Sequence, residues 1–495
     1  MSLASNPVAG PGRKDLDKHF VSGVGWTAIA KWGGQAFSWA ALLLLAKLLN
    51  PSDFGLLSMT SVLLGLITMF TEFGIDGAIV LTLDLTPLKI RQIHSLAILL
   101  GCCGATVAAL SAPFLAMFFH QPELKKITPV LALTFIIGGF KIVPQAVLLR
   151  ELRFQALSML EIGQVFLQAG SSVVLAWMGM RYWSLIGALL ISSASTALFS
   201  NLLRPCGLAK LDPRHIREEL TFGWQLMGTR FSWYFYSNAD FAVAGRMLGA
   251  DALGIYTMAW NIASVPVEKI TALLTRVTPS ILMKVQNNPV ERNRYIRLFT
   301  EGLAIATFPL AIGLALVARP LMLSIFDQRW TAAIGALALL ALCTAVRSIA
   351  AVWQPVLSVS GEVRFSMWIN VMMACTLPFA FLFGSHWGPT GIGAAWLICY
   401  PLLSLPLLAR MLSTSGVSLA EYCSSLKVAV LACGAMSLGV LAVSMATTGL
   451  PQWVRLALEV LTGTVVYAGL LLLFFKPRIQ ALLSMIRGTG NPLGG

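Results

Sequence analysis

Long apolar stretches, separated by short polar segments, recur along almost the whole chain. A membrane-spanning helix needs about 20 mostly apolar residues, and fourteen stretches have this length and composition. The pattern predicts an all-α polytopic membrane protein with about 14 transmembrane helices, which we number as spans 1 to 14. The spans lie near residues 23–46, 54–75, 93–118, 127–149, 157–178, 182–202, 221–244, 253–275, 296–317, 333–353, 366–383, 391–410, 426–446 and 454–475.

The composition agrees with lipid as the main solvent of this chain. Only 11% of its 495 residues are charged, whereas a soluble domain carries about 25% charged residues. The sequence contains no GxxxxGK[ST], GxSxG or HExxH motif, and no cysteine or histidine cluster with metal-ligand spacing. We therefore expect a membrane transporter, not an enzyme, with no metal and no cofactor.

Basic residues are divided unequally between the two sides that the spans define. Of the 35 lysines and arginines, 22 fall on the side of the two termini and 8 on the opposite side. Because positive charge in short loops marks the cytoplasmic side, both termini are expected in the cytoplasm. The same bias explains most of the net charge of +14, so we expect no nucleic-acid partner.

The chain resembles itself at a shift of about 200 residues. Residues 47–59 align with 246–258, and each segment joins the first two spans of its half. Two further matches pair Glu151 with Glu362 and 179–187 with 388–396. Such ordered matches indicate duplication of a six-helix unit.

A six-helix copy starts and ends on the same side of the membrane, so the two copies are parallel repeats. We expect two six-helix lobes around a central cleft, plus two C-terminal helices, which is a transporter architecture. The predicted parts are a cytoplasmic tail (1–22), an N-lobe (23–203), a cytoplasmic linker (204–220), a C-lobe (221–411), spans 13 and 14 (426–475) and a cytoplasmic tail (476–495).

Short motifs at the span ends carry a family resemblance over roughly residues 20 to 415. They include Asp53-Phe54-Gly55 at the start of span 2, the Gly245–Gly249 stretch before span 8, Thr275-Arg276-Val277, and Arg329-Trp330. In their order and spacing they resemble the polysaccharide flippase branch of the multidrug/oligosaccharidyl-lipid/polysaccharide exporter superfamily, in particular its colanic-acid-type (Wzx-like) group. Asp327 and Thr278 depart from the family pattern, which often has glycine and an aromatic residue there.

The resemblance implies an export step in a bacterial inner (cytoplasmic) membrane. Family members move undecaprenyl-diphosphate-linked oligosaccharides from the cytoplasmic to the periplasmic leaflet by alternating access, for exopolysaccharide, capsule or O-antigen assembly. The implied partners are this lipid-linked oligosaccharide, membrane lipids, a polysaccharide polymerase and glycosyltransferases. Transport could be coupled to a proton or sodium gradient, and the sequence leaves that choice open.

Charged residues within spans are costly, so each is a candidate for a polar lumen. Arg230, Tyr234 and Asn238 follow one another at helical spacing, and arginine suits a diphosphate because its fork binds two oxygens. Structural pairing of Arg230 with Asp240, or snorkelling, is the alternative. The cationic lumen candidates are Lys31, Lys141, Arg230, Tyr234, Asn238, Lys269 and Arg347; the coupling-ion candidates are Glu161, Asp240 and Glu268; the candidates for first contact with the diphosphate at the cytoplasmic side are Arg150, Arg153, Arg276 and Arg364.

Two other functions share parts of this pattern. A multidrug or small-cation antiporter of the same superfamily has the same fold, but five basic residues within spans favour an anionic cargo. A membrane glycosyltransferase or polymerase usually needs catalytic groups on a large periplasmic loop, and every predicted periplasmic loop is short.

Overall fold

The computed structural model describes residues 33–72, 75, 79, 86–212, 217–286 and 288–474. These residues form helices and no β-strand, which confirms the predicted all-α class. Lys31 lies outside them. The helices are α1 (residues 33–48), α2 (Pro51–Glu72), α3 (Pro87–Phe119), α4 (Leu124–Arg150), α5 (Phe154–Trp177), α6 (Tyr182–Leu203), α7 (Arg217–Lys284), α8 (Pro289–Leu316), α9 (Ala318–Ile325), α10 (Ala333–Ala350), α11 (Trp353–Val359), α12 (Val363–Gly384), α13 (Gly388–Ser415), α14 (Leu419–Ala446) and α15 (Gln452–Phe474).

Ten helical stretches in the described part of the chain are long and apolar enough to cross a membrane. One of them, Val363–Ser415, contains both span 11 and span 12. Helix α7 likewise contains spans 7 and 8, and it begins at Arg217, inside the segment predicted as a linker. These lengths and compositions support a multi-pass membrane protein.

Helix α7 consists of two helical segments that meet at Gly249. This glycine has φ 83° and ψ −176°, a combination that side chains with a Cβ rarely adopt. The residue therefore ends the first segment, and Ala250 begins the second. Elsewhere helix ends are capped by side chains: Ser418 and Glu421 form a reciprocal capping box at the start of α14.

By its contacts the chain divides into two compact units, and each has its own interior. The first takes in the described residues of 1–48, 63–114 and 123–228. In this unit a hydrogen bond joins the segment after α6 to α3. His94 Nδ1 on α3 donates to the Cys206 carbonyl oxygen at 2.8 Å. An ion pair of 2.8 Å joins Arg204 to Glu151, which follows α4.

The second unit takes in residues 49–62, 115–122 and the described residues of 229–495. Glu362 precedes α12, and its carboxylate lies 2.5 Å from Arg410 in α13. Glu151 and Glu362 were paired by the sequence repeat, and each binds an arginine at or just after the end of the sixth predicted span of its half. The repeat therefore extends to a specific ion pair.

The start of α2 and the second segment of α7 pack closely within this second unit. A Cβ atom on Gly55 would lie 1.9 Å from the Ala250 carbonyl oxygen, and one on Gly254 would lie 1.8 Å from the Pro51 carbonyl oxygen. Both positions therefore require glycine. The two contacts are equivalent, because each becomes the other at a shift of 199 residues. We call this pair of contacts the reciprocal contact.

Candidate functional site

A fully buried carboxylate joins three helical segments of the second unit. Asp240 lies in the first segment of α7, and its Oδ2 accepts hydrogen bonds from Tyr256 at 2.6 Å and from Trp396 Nε1 at 2.8 Å. All three side chains have 0% exposure. Such a carboxylate needs good donors to offset its lost hydration, and the two bonds fix the Trp396 ring on α13.

The guanidinium of Arg347 lies against two tryptophan rings. Its central carbon is 5.0 Å from the Trp260 ring centroid and 5.3 Å from that of Trp396. Both distances suit cation–π attraction, which holds a cation without neutralising it. Of the described acidic side chains, none forms an ion pair of 4.0 Å or less with Arg347. The two rings and Arg347 form what we call the arginine clamp.

The arginine clamp borders a cavity of ≈ 740 Å³ within the second unit. Helices α7, α10, α11, α12 and α13 contribute its walls. Arg347 is the basic residue in the lining and Glu268 the acidic one. The other polar lining groups are neutral, and they are Trp233, Tyr236, Thr271, Thr275, Thr344, Ser348, Trp353, Gln354, Ser358, Ser366, Asn370 and Tyr400.

Three of the predicted site residues therefore lie in or next to this region. Arg347 and Glu268 line the cavity. Asp240 lies behind Trp396 and is bonded to it. Asp240, which the sequence offered as an alternative partner for Arg230, is thus hydrogen-bonded to Tyr256 and Trp396. For Arg230 and Arg276 the structure describes the helix position but not the side chain.

Two further lumen candidates on α7 form hydrogen bonds to the backbone. The Tyr234 hydroxyl donates to the Val62 carbonyl oxygen at 2.7 Å. Asn238 Nδ2 donates to the Tyr234 carbonyl oxygen at 2.9 Å. Neither side chain belongs to the cavity lining. Lys269, next to Glu268, is exposed and also lies outside the lining.

The remaining candidates lie on other helices. Lys141 on α4 is half-buried, and Glu161 on α5 is exposed. Arg150 Nη1 donates to the Ile79 carbonyl oxygen at 2.7 Å, which ties it to the backbone. Arg153 and Arg364 are exposed at the starts of α5 and α12. None of these five residues borders the described cavity.

Sequence reasoning missed the aromatic half of the site. Trp260, Trp396, Tyr236 and Tyr400 surround Arg347 or line its cavity, and none of them is among the residues that the sequence predicted for the site. A usable signal was the position of Trp260 within span 8, two turns from the nearer end and away from the interface where such residues usually lie.

Comparisons with known proteins agree with this fold. Residues 44–335 match the family described as "Polysaccharide biosynthesis protein". The chain is 26% identical to the teichuronic acid biosynthesis protein TuaB of Bacillus subtilis, over 94% of this chain and 98% of that protein. It is 25% identical to the lipopolysaccharide biosynthesis protein WzxC of Escherichia coli, over 77% of this chain and 79% of that protein. The solved structure titled "Lipid II flippase MurJ, inward closed conformation" superposes with a TM-score of 0.72 at 13% identity, over 92% of this chain and 99% of that one.

Proposed function

Because the chain belongs to the polysaccharide biosynthesis protein family and is a transporter of the multidrug/oligosaccharidyl-lipid/polysaccharide superfamily, we propose that it exports undecaprenyl-diphosphate-linked oligosaccharides. The lipid-linked head group would pass from the cytoplasmic to the periplasmic leaflet of a bacterial inner membrane. Neither the diphosphate nor the hydrated sugars can cross hydrocarbon unaided, since every polar group removed from water needs a partner.

The arginine clamp is the observation that carries this proposal. A diphosphate needs a positive charge that is held in position and still available. An arginine paired with a carboxylate would offer little net charge, whereas indole rings hold the guanidinium of Arg347 and leave its charge intact. Its N–H groups can then form charge-assisted hydrogen bonds to phosphate oxygens.

The distribution of basic residues supports the direction of transport. With both termini cytoplasmic, the loop between α11 and α12 faces the cytoplasm, and so does the nearby end of the cavity. The reciprocal contact, at the start of α2, then lies at the periplasmic ends of its helices. A cavity that opens toward the cytoplasm would accept a lipid head group from the cytoplasmic leaflet. Separation of the reciprocal contact would release it on the other side.

The membrane potential favours this direction. Moving one charge across 100 mV corresponds to about 2.3 kcal/mol, and an anion leaves a negative cytoplasm downhill. Coupling to a proton or sodium gradient would add to this drive. Glu268 is our candidate for the coupling site because its carboxylate lines the cavity, while Asp240 is buried behind Trp396.

Depletion of the protein in cells tests the proposal. Lipid-linked saccharide should accumulate in the cytoplasmic leaflet, and the wild-type gene should clear it. Arg347→Gln should clear it at least roughly tenfold more slowly, because a lost hydrogen bond to a charged group costs about 1.5–3 kcal/mol. Lys427→Gln is the matched control, since Lys427 is exposed on α14 and lies outside the cavity lining.

Two results would contradict the proposal. Depletion without accumulation of lipid-linked saccharide would exclude the export step. Robust export of fluorescent organic cations by membrane vesicles containing the protein, with no effect of Arg347→Gln, would favour the multidrug antiporter instead.

A further inference from the structure

The cavity lining changes character along its length. Arg347 and Gln354 lie on one face of the α10–α11 stretch, about 10 Å apart at a rise of about 1.5 Å per residue. Around Gln354 the lining side chains that α11 and α12 contribute are neutral, with Ser358 on α11 and Asn370 on α12. The part of the lining that holds Arg347 is thus followed, along the α10–α11 stretch, by a neutral part rich in hydrogen-bonding groups.

Two amides in this neutral region are bonded to each other. Gln354 Nε2 donates to Asn370 Oδ1 at 3.4 Å. Within the part of the chain that the structure describes, this is the one hydrogen bond recorded for either side chain. An amide group has two donors and two acceptor sites. The bonded pair therefore still offers the Gln354 oxygen as an acceptor and N–H groups of both amides as donors.

An aromatic side chain completes this wall. Trp233 on α7 lines the cavity and is 51% exposed. Sugars present hydroxyl groups, which both donate and accept hydrogen bonds, and ring faces of C–H bonds, which pack on aromatic rings. The amide donors and acceptors and the exposed indole, which line the same cavity, match both features.

We propose that Gln354, Asn370 and Trp233 form a binding subsite for the first neutral sugar attached to the diphosphate. The inference rests on the proposed function, because it takes Arg347 as the diphosphate site. In the cytoplasmic leaflet a lipid-linked saccharide presents its tail, its diphosphate and then its sugars in order toward the cytoplasm. The cavity has the same order, from Arg347 to the amide pair near the α11–α12 turn.

The charges of the lining also set the class of sugar. Glu268 is the acidic group of the described cavity lining, so the carboxylate of a uronic acid would add a second negative charge to this cavity, and the lining side chains of α11 and α12 offer it no positive partner. The subsite therefore selects neutral hexoses or N-acetylhexosamines over uronic acids.

Binding to the purified full-length protein tests the subsite. The probes are farnesyl diphosphate and farnesyl diphosphate carrying glucose, galactose, N-acetylglucosamine or glucuronic acid. Wild type should bind at least one neutral-sugar probe more tightly than the sugarless probe, and the glucuronic acid probe more weakly than that neutral one. The double variant Gln354→Leu/Asn370→Leu should lose about tenfold affinity for the neutral-sugar probe, as two hydrogen bonds disappear, with unchanged affinity for farnesyl diphosphate.

The sugarless probe shows whether each variant is folded. Thr376→Val on α12 is the matched control, because the exposed Thr376 hydroxyl donates to Met372 and lies outside the cavity lining; it should change neither affinity. Equal loss for both probes, or loss for neither, would overturn the subsite. Tighter binding of the glucuronic acid probe would overturn the neutral class.

The proposed function fails separately from the subsite. If wild type binds no probe, or if Arg347→Gln leaves farnesyl diphosphate binding unchanged, the diphosphate site itself is wrong. If wild type binds all probes equally and Arg347→Gln weakens them all, the diphosphate site stands and the sugar subsite does not.

Discussion

Ser58 and Thr257 meet through their side-chain hydroxyls, with 2.9 Å between the two oxygens. They are separated by 199 residues and occupy equivalent positions of the duplicated sequence. Equivalent residues touch each other where a two-fold axis passes between them. The helix starts that carry them are therefore related by a local two-fold axis.

A cross-link at this point should arrest transport. In a background without the eight native cysteines, Ser58→Cys with Thr257→Cys should form a disulfide under oxidant, since the two side chains are already in contact. Transport should stop and should return with reductant. Ser58→Cys alone is the control, because it has no second cysteine to form this disulfide. If the cross-linked protein transported at the full rate, the contact between Ser58 and Thr257 would not need to open during transport.

Alanine at the two close glycines should prevent the reciprocal contact. A Cβ at Gly55 or Gly254 would overlap a backbone carbonyl oxygen of the facing helix, and backbone cannot yield as a flexible side chain can. We expect transport to fall and a cysteine at Ser358, in the cavity, to react more slowly with an impermeant thiol reagent from the cytoplasm. Gly138→Ala and Gly163→Ala have open space around them and should behave as wild type. Unchanged labelling in both test variants would argue against this gate.

Removing one ring of the arginine clamp should weaken diphosphate binding. Trp260→Leu deletes one cation–π contact, which contributes about 0.5–2 kcal/mol, so affinity for farnesyl diphosphate should fall roughly 2- to 30-fold. Trp453→Leu removes an exposed tryptophan from α15 and should leave that affinity unchanged. An unaltered affinity in Trp260→Leu would mean that the rings do not hold Arg347 for binding.

Replacing the two carboxylates near the cavity, Asp240 and Glu268, should have different effects. Asp240→Asn should destabilise the protein by about 1–3 kcal/mol, because the amide leaves a buried donor without its charged acceptor. Glu268→Gln should leave thermal stability close to that of wild type and abolish stimulation of transport by an imposed ion gradient. Thermal unfolding and gradient-driven flipping measure the two effects. If only Asp240→Asn lost the stimulation of transport by the ion gradient, Asp240 and not Glu268 would be the coupling site.

The repeat made part of the structure predictable from sequence. The matched segments 47–59 and 246–258 contain the reciprocal contact, and the matched Glu151 and Glu362 each form an ion pair, so the duplication read from the sequence reappears in these contacts, which were not themselves predicted. Both features are local to helix ends, where glycine, proline and charge leave a clear pattern. The lengths of the apolar stretches likewise predicted most of the helices.

The arginine clamp could not be predicted in this way. Helical spacing identifies which residues share a face of one helix, as for Arg230, Tyr234 and Asn238. It does not identify which face of α13 meets α7 and α10. Trp396 reaches both Asp240 and Arg347 only because three distant segments pack together, and in a sequence rich in apolar residues such packing leaves no periodic signal.

Flipping by the purified protein tests the central claim most directly. Proteoliposomes would carry a fluorescent lipid-linked oligosaccharide in both leaflets, and a membrane-impermeant quencher would report how fast protected molecules reach the outer leaflet. We predict rapid loss of protection with wild type and with Lys427→Gln, and slow loss with Arg347→Gln. Protection that persists with wild-type protein, or that is lost equally fast with Arg347→Gln, would contradict the account.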